Sequence, residues 1–137
     1  MASFLVDSSV LLDLFTQDLR WFDWSATILE EAFRQGNVVI NPVIYSEISV
    51  RFSRVEDLEL TLRQAGLPLV EIPREALFLA GKAFVAYRRS GGAKSSPLPD
   101  FFIGAHAAVS RLILISRDPA RIASYFPSVE LQTPDRD

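Results

Sequence analysis

The chain has 137 residues and a mass of 15.3 kDa, room for one domain, read here as 1–137, that buries about two-thirds of its unfolded surface. With 49% hydrophobic and 23% charged residues, it carries enough apolar surface to offset chain entropy, which excludes general disorder. The absence of cysteine and the single histidine, His106, exclude disulfide scaffolds, thiolate nucleophiles and Cys- or His-rich metal sites, while 17 acids against 14 bases give a net charge of −3 and make carboxylate the abundant reactive group.

In chain order, Phe4-Leu5-Val6 is a short aliphatic run without polar alternation, the mark of a strand buried on both faces. Asp7 ends it and opens a helix through Ser8-Ser9-Val10-Leu11-Leu12. Trp21 to Gln35 places Trp21, Trp24, Ile28, Leu29 and Ala32 on one helical face, and Gly36-Asn37 stops it before the strand Val38-Val39-Ile40. Asn41-Pro42 starts the next helix. A helix from Glu56 carries Leu58, Leu62 and Ala65 and ends at Gly66, ahead of a strand at Leu69-Val70. The helix from Arg74 to Arg89 follows Pro73 and is expected to bury Leu77, Ala80, Gly81, Phe84 and Val85. After the linker-like Ser90 to Pro99, the segment Asp100 to Arg111 is apolar over most of its circumference and reads as a helix covered on both sides. Leu112 to Ile115 and Val129 to Leu131 complete the strands. Strands alternating with helices predict a three-layer α/β/α sandwich around a mostly parallel sheet of about five strands, with ligands beyond the carboxyl ends of the strands. No run approaches the ~20 apolar residues of a membrane span, and no basic leader precedes the first strand, so the expectation is a cytoplasmic protein without membrane contact.

Four acids draw notice by position. Asp7 and Asp118 each end a strand, and Asp100 opens the buried helix. Each alone is explained as a helix cap, with Pro119 at a first helical position after Asp118. Glu47 is not explained in that way. At 100° per residue it falls between Val43 and Ile44, in the middle of an apolar stripe, where an ionised carboxylate needs a cation or a proton. The plain alternative is a pair with Arg51 on the same face, and an exposed i,i+4 pair contributes only about 0.3–0.5 kcal/mol.

In a parallel sheet Asp7, Glu47 and Asp118 share one edge, and a right-handed crossover brings Asp100 to it. At ~4 Å each like-charged pair repels by about 4 kcal/mol at an effective dielectric of 20, a conflict that a divalent cation resolves. Oxygen ligands alone select Mg²⁺ or Mn²⁺ over Zn²⁺, and an acidic site of this kind suits phosphoryl chemistry.

The segments Phe4 to Leu11, Pro42 to Ile48, Pro99 to Ala107 and Leu114 to Pro119 resemble, in order, the four acidic motifs of PIN-domain nucleases, and most closely those of VapC toxins. The resemblance covers essentially the whole chain. It implies a PIN-like fold and a Mg²⁺- or Mn²⁺-dependent endoribonuclease in which Asp7, Glu47, Asp100 and Asp118 hold the metal and carry catalysis, with 5′-phosphate and 3′-hydroxyl products. By the same resemblance Ser8 and Ser116 support the site, and the partners are an RNA substrate, a small antitoxin protein and a second copy of the chain in a homodimer. Many relatives carry Asn where this chain has Ser9.

Arginine dominates the bases, 12 to 2 over lysine, and Arg117, Arg88, Arg89 and Lys94 lie in sequence beside Asp118 or the loop before Asp100, available for RNA phosphates. Trp21, Phe22 and Trp24 have the spacing of core residues rather than of a base-stacking platform. His106 reads as a packed, hydrogen-bonded histidine, and Asp13 as a surface acid. The competing readings are a housekeeping PIN nuclease, a DNA nuclease or another metal-dependent phosphodiesterase, and, outside enzymes, a scaffold module whose acids only cap helices. Ser9, two positions after Asp7, counts against a haloacid-dehalogenase phosphatase, and the lack of glycine after the first strand counts against a dinucleotide site.

Overall fold

Residues 2–92 and 98–134 are described by the computed structural model, with the side chain of Arg121 excepted. The order of elements is β1 (Ala2–Val6), α1 (Ser8–Thr16), α2 (Phe22–Gln35), β2 (Gly36–Val39), α3 (Pro42–Ser49), α4 (Val55–Ala65), α5 (Arg74–Arg89), α6 (Leu98–Ser110), β3 (Ile113–Ile115), α7 (Ala120–Tyr125) and β4 (Leu131–Gln132).

Both-face burial makes β1 the centre of the sheet: Phe4, Leu5 and Val6 are fully buried. The four strands run β2-β1-β3-β4, all parallel, with Leu5 opposite Val39 and Leu114, and Val6 opposite Ile115. Helices cover both faces, giving the expected α/β sandwich. The sheet has one strand fewer than the five expected, because Leu69-Val70 makes only a single parallel bridge to Ile40. Ile40 N–H donates to Pro68 O (3.0 Å) and Val70 N–H to Ile40 O (2.8 Å). Pro68 lacks a donor of its own and Leu69 stays exposed, so pairing does not propagate.

The helix faces follow the apolar stripes with two corrections, on α5 and α4. On α5 the buried seam is Ala76, Ala80 and Ala83, continued by the half-buried Tyr87, at i, i+4, i+7 and i+11. Leu77 and Val85, expected inside, are each 44% exposed, and Gly81 is exposed as well. Alanine lets α5 lie close against α6, and the larger side chains turn outward. On α4, Leu58 and Leu62 are buried as expected, while Ala65 is exposed and Leu67, after the Gly66 cap, takes its place. Gly66 ends the helix at φ +72°, a left-handed conformation that favours glycine.

The helix α6 carries Phe101, Ile103, Ala105 and Ala107 fully into the core. A Cβ on Gly104 would lie 2.5 Å from Phe126 Cδ2, so glycine is what permits α6 to approach the end of α7 this closely. Among the described residues, no helix is long and apolar enough to cross a membrane.

Candidate metal and phosphodiester site

All four parallel strands end on one edge, and the sequence-predicted acids lie on the segments that leave it. Asp7 directly follows β1. It occupies the N-cap position of α1 but makes no capping bond; its Oδ2 accepts instead from Ser9 Oγ (2.8 Å) and from Ser116 Oγ (2.9 Å). The helix-cap explanation of Asp7 therefore fails at the side chain. Ser116 is fully buried, and its hydroxyl also accepts from the Asp118 N–H at 3.2 Å.

Glu47 sits one turn into α3. That helix is started by Asn41, whose side chain accepts from Ile44 N–H (2.9 Å), and by Pro42. Glu47 Oε1 accepts from Ser8 Oγ at 2.9 Å, and the pair with Arg51 is not formed because α3 ends at Ser49 and Arg51 is exposed. Burial pushes the Glu47 carboxyl above the ordinary carboxylate range. The Ser8 hydroxyl opposes this shift, and the negative charges of Asp7 and Asp100 add to it. The structure thus brings Asp7, Glu47 and Asp100 into one electrostatic neighbourhood. Asp100 lies in the first turn of α6.

Asp118 stands apart. It is exposed on the turn between β3 and α7, held to the site through its backbone N–H, and α7 is capped at Pro119 rather than by Asp118. A solvated carboxylate gains more from water than from joining three like charges. Among the described residues, no three acidic or histidine side chains are close enough together to hold one ion directly.

The donor set nevertheless fits a hard ion. Among the described residues neither Asp7 nor Glu47 has a basic partner. Among the described residues Asp7 Oδ1 and Glu47 Oε2 accept no bond, and since no fully buried side-chain oxygen there lacks a partner, neither is fully buried. Mg²⁺ is commonly held by one or two carboxylates with several retained waters and substrate phosphate oxygens, not by an all-protein cage. The two open carboxylate oxygens of Asp7 and Glu47, with the charge of Asp100 in the same neighbourhood, meet that requirement.

Other predicted residues fare differently. The Arg117 guanidinium is turned away from any free role: Nε and Nη2 donate to Asp13 Oδ2 and Oδ1 at 2.9 and 3.0 Å. Asp13, expected at the surface, is 2% exposed and also accepts from the buried Ser25 Oγ (2.8 Å). Its signal was present in the sequence, since Asp13 comes three residues after Val10 and lies beside the apolar stripe of Val10, Leu11 and Leu14. Ser9 has a polar role that the departure from asparagine concealed: besides bonding Asp7, its Oγ accepts from Arg117 N–H at 3.2 Å. Arg88 and Arg89 are exposed in the last turn of α5, and Lys94 lies outside the described residues.

Trp24 packs on the core as expected, but Trp21 and Phe22 do not join it. The Trp21 ring instead carries the guanidinium carbons of Arg20 and Arg117, at 4.9 and 5.4 Å from its centroid. His106 is 2% exposed with Nδ1 3.1 Å from Asn41 Nδ2, a packed and bonded histidine.

The PIN domain family model matches residues 4–124. Among solved structures, the chain resembles one from VapBC2 of Rickettsia felis bound to a DNA fragment from its promoter, at 14% identity and TM-score 0.73, covering 97% of this chain and 99% of that one. A chain of DNA-bound VapBC from Salmonella typhimurium matches at 14% identity and TM-score 0.64 over 97% and 98%. One from a toxin–antitoxin complex of Klebsiella pneumoniae matches at 21% identity and TM-score 0.60 over 92% and 94%. No curated protein sequence matches the chain.

Proposed function

The chain belongs to the PIN domain family, and on that premise we propose that it is a Mg²⁺- or Mn²⁺-dependent endoribonuclease serving as the toxin of a toxin–antitoxin pair. The observation that carries the reading is the grouping of Asp7, Glu47 and Asp100 at the carboxyl edge of the sheet, where burial and mutual repulsion raise Glu47 and no basic side chain pairs with Asp7 or Glu47 among the described residues. A scaffold has no use for such an arrangement, because unpaired like charges in a half-buried site only destabilise it.

Asp7 and Glu47 would hold the ion, with Asp100 and Asp118 as the further acids of the set. When bound, the ion supplies charge neutralisation at the scissile phosphate and an acidified water as nucleophile. Ser9 and Ser116 hold the opposite oxygen of Asp7, so its free lone pairs point in a fixed direction. Ser8 does the same for Glu47. Asp118, exposed on the β3–α7 turn, stands at the solvent side of this group.

The structural neighbours are chains of toxin–antitoxin complexes, which supports a small protein partner for this chain too; the homodimer is carried by the family resemblance alone. Sequencing the 5′ ends of RNAs after brief expression of wild type and of Asp7→Asn tests the activity. New 5′-phosphate ends only with wild type are expected; identical ends in both contradict the reading. Recovery of a small protein encoded beside this one, in stoichiometric complex, separates a toxin from a housekeeping nuclease.

A further inference from the structure

We propose that Arg117 and Asp13 are a positioning pair that locks the turn bearing Asp118 onto α1 and, through Ser9, orients Asp7; the inference deepens the metal-nuclease reading and rests on it for its catalytic part. The side chain of Arg117 grips Asp13 with two parallel bonds of 2.9 and 3.0 Å, the planar fork that gives such pairs their directionality. Ser25 of α2 supplies a third donor to the same carboxylate, and the Trp21 ring lies against the guanidinium. One side chain therefore joins α1, the start of α2 and the β3–α7 turn.

The backbone of the same residue reaches the site. Arg117 N–H donates to Ser9 Oγ, Ser9 Oγ donates to Asp7 Oδ2, and on either side of Arg117 stand Ser116, bonded to Asp7, and Asp118, bonded to Ser116. The turn from 116 to 118 is thus fixed at both its side-chain and main-chain ends. With Asp118 exposed and without a direct contact to the other acids, the main-chain position of this turn is what determines where its carboxylate stands.

A phosphate contact is the obvious alternative use of an arginine beside a phosphodiester site. The burial of Asp13 decides between them: releasing Arg117 to a phosphate would strand a carboxylate that is 2% exposed, and an uncompensated buried charge costs more than an exposed ion pair returns.

The test uses the double variant Asp13→Asn/Arg117→Gln, which removes both charges and the two-bonded fork while leaving a polar amide at each position, beside Arg117→Lys, which keeps the charge and loses the fork. In the metal-free full chain, amide exchange at Asp118 is expected to rise about tenfold or more in the double variant with the exchange of α5 and α6 unchanged. Unchanged exchange at Asp118 overturns the proposal. With an RNA substrate, the double variant is expected to lose about 10- to 100-fold in kcat with KM within about twofold, and Arg117→Lys to fall between it and wild type. A raised KM at unchanged kcat in both variants contradicts the proposal and marks Arg117 as a phosphate ligand. Should wild type itself cut no RNA, the functional reading fails, and the exchange measurement still decides the clamp.

Discussion

Ser116 Oγ donates to Asp7 Oδ2 across 2.9 Å, joining the ends of two neighbouring parallel strands that are 109 positions apart in sequence. The bond is buried, and with Ser9 on the same oxygen it leaves the other lone pairs of Asp7 directed to solvent. Ser116→Ala removes one of two orienting donors and the acceptor for Asp118 N–H. A loss of about 10- to 100-fold in cleavage is expected at a stability cost of about 1 kcal/mol, with Ser116→Thr retaining most activity. Initial rates and thermal melts of the three proteins check this.

Asp7→Asn removes one charge from the acidic group and keeps the acceptor for Ser9 and Ser116. RNA cleavage is expected to drop by about 10²-fold or more, while the metal-free variant melts at or above the wild-type temperature because repulsion is relieved. Addition of Mn²⁺ should raise the melting temperature of wild type and leave the variant unmoved. Calorimetric scans with and without Mn²⁺ give the comparison.

Glu47 yields a prediction in pH. Its carboxyl is pushed above the ordinary range by burial and by Asp7 and Asp100, so its favourable contribution is present below the unfolded-state value and is lost as pH rises through the folded-state value. In metal-free protein at pH 7, Glu47→Gln should therefore melt higher than wild type by on the order of 1–3 °C. The gap should close as pH falls toward 4. A gap that widens on acidification would reverse the assigned sign.

His106 titrates in the opposite sense. Burial lowers its pKa below the ordinary imidazole value, and the amino group of Asn41 facing Nδ1 further disfavours a proton there, since Asn41 already uses its oxygen on Ile44 N–H. Stability is then fully present above 6.5 and declines as pH falls through the folded-state value. His106→Gln, which keeps an acceptor for Asn41, should flatten the melting curve between pH 7 and 5. Because Asn41 caps the helix that carries Glu47, the Ile44 amide of wild type should exchange faster at pH 5.5 than the intrinsic pH trend gives, and that of the variant should not.

The central strands and the acids that flank them were legible because each signal is local. Phe4-Leu5-Val6 and Leu114-Ile115 are apolar without alternation, and a residue directly after such a strand can only lie at its carboxyl edge. Glu47 stood out through helical angle alone. What stayed hidden depends on partners distant in sequence. The direction in which α5 turns is decided by which face fits closely on α6, and three alanines carry less hydrophobic signal than Leu77 and Val85. Leu69-Val70 has strand composition but Pro68 before it. Asp13 and Arg117 are 104 positions apart, so although the apolar stripe beside Asp13 hints at its burial, the commitment of either to the other does not follow from its own neighbours. The same holds for Asp118, whose chain position places it at the site edge but whose carboxylate remains in water.

The most direct test of the central claim is RNA cleavage by the purified chain, freed of any bound partner, in Mn²⁺ or Mg²⁺ and again in excess EDTA. Cleavage that requires the ion, returns when it is restored and leaves 5′-phosphate ends is the predicted result. Cleavage at full rate in EDTA, or equal cleavage by Asp7→Asn, would contradict the assignment of Asp7, Glu47 and Asp100 to a metal-dependent phosphodiester site.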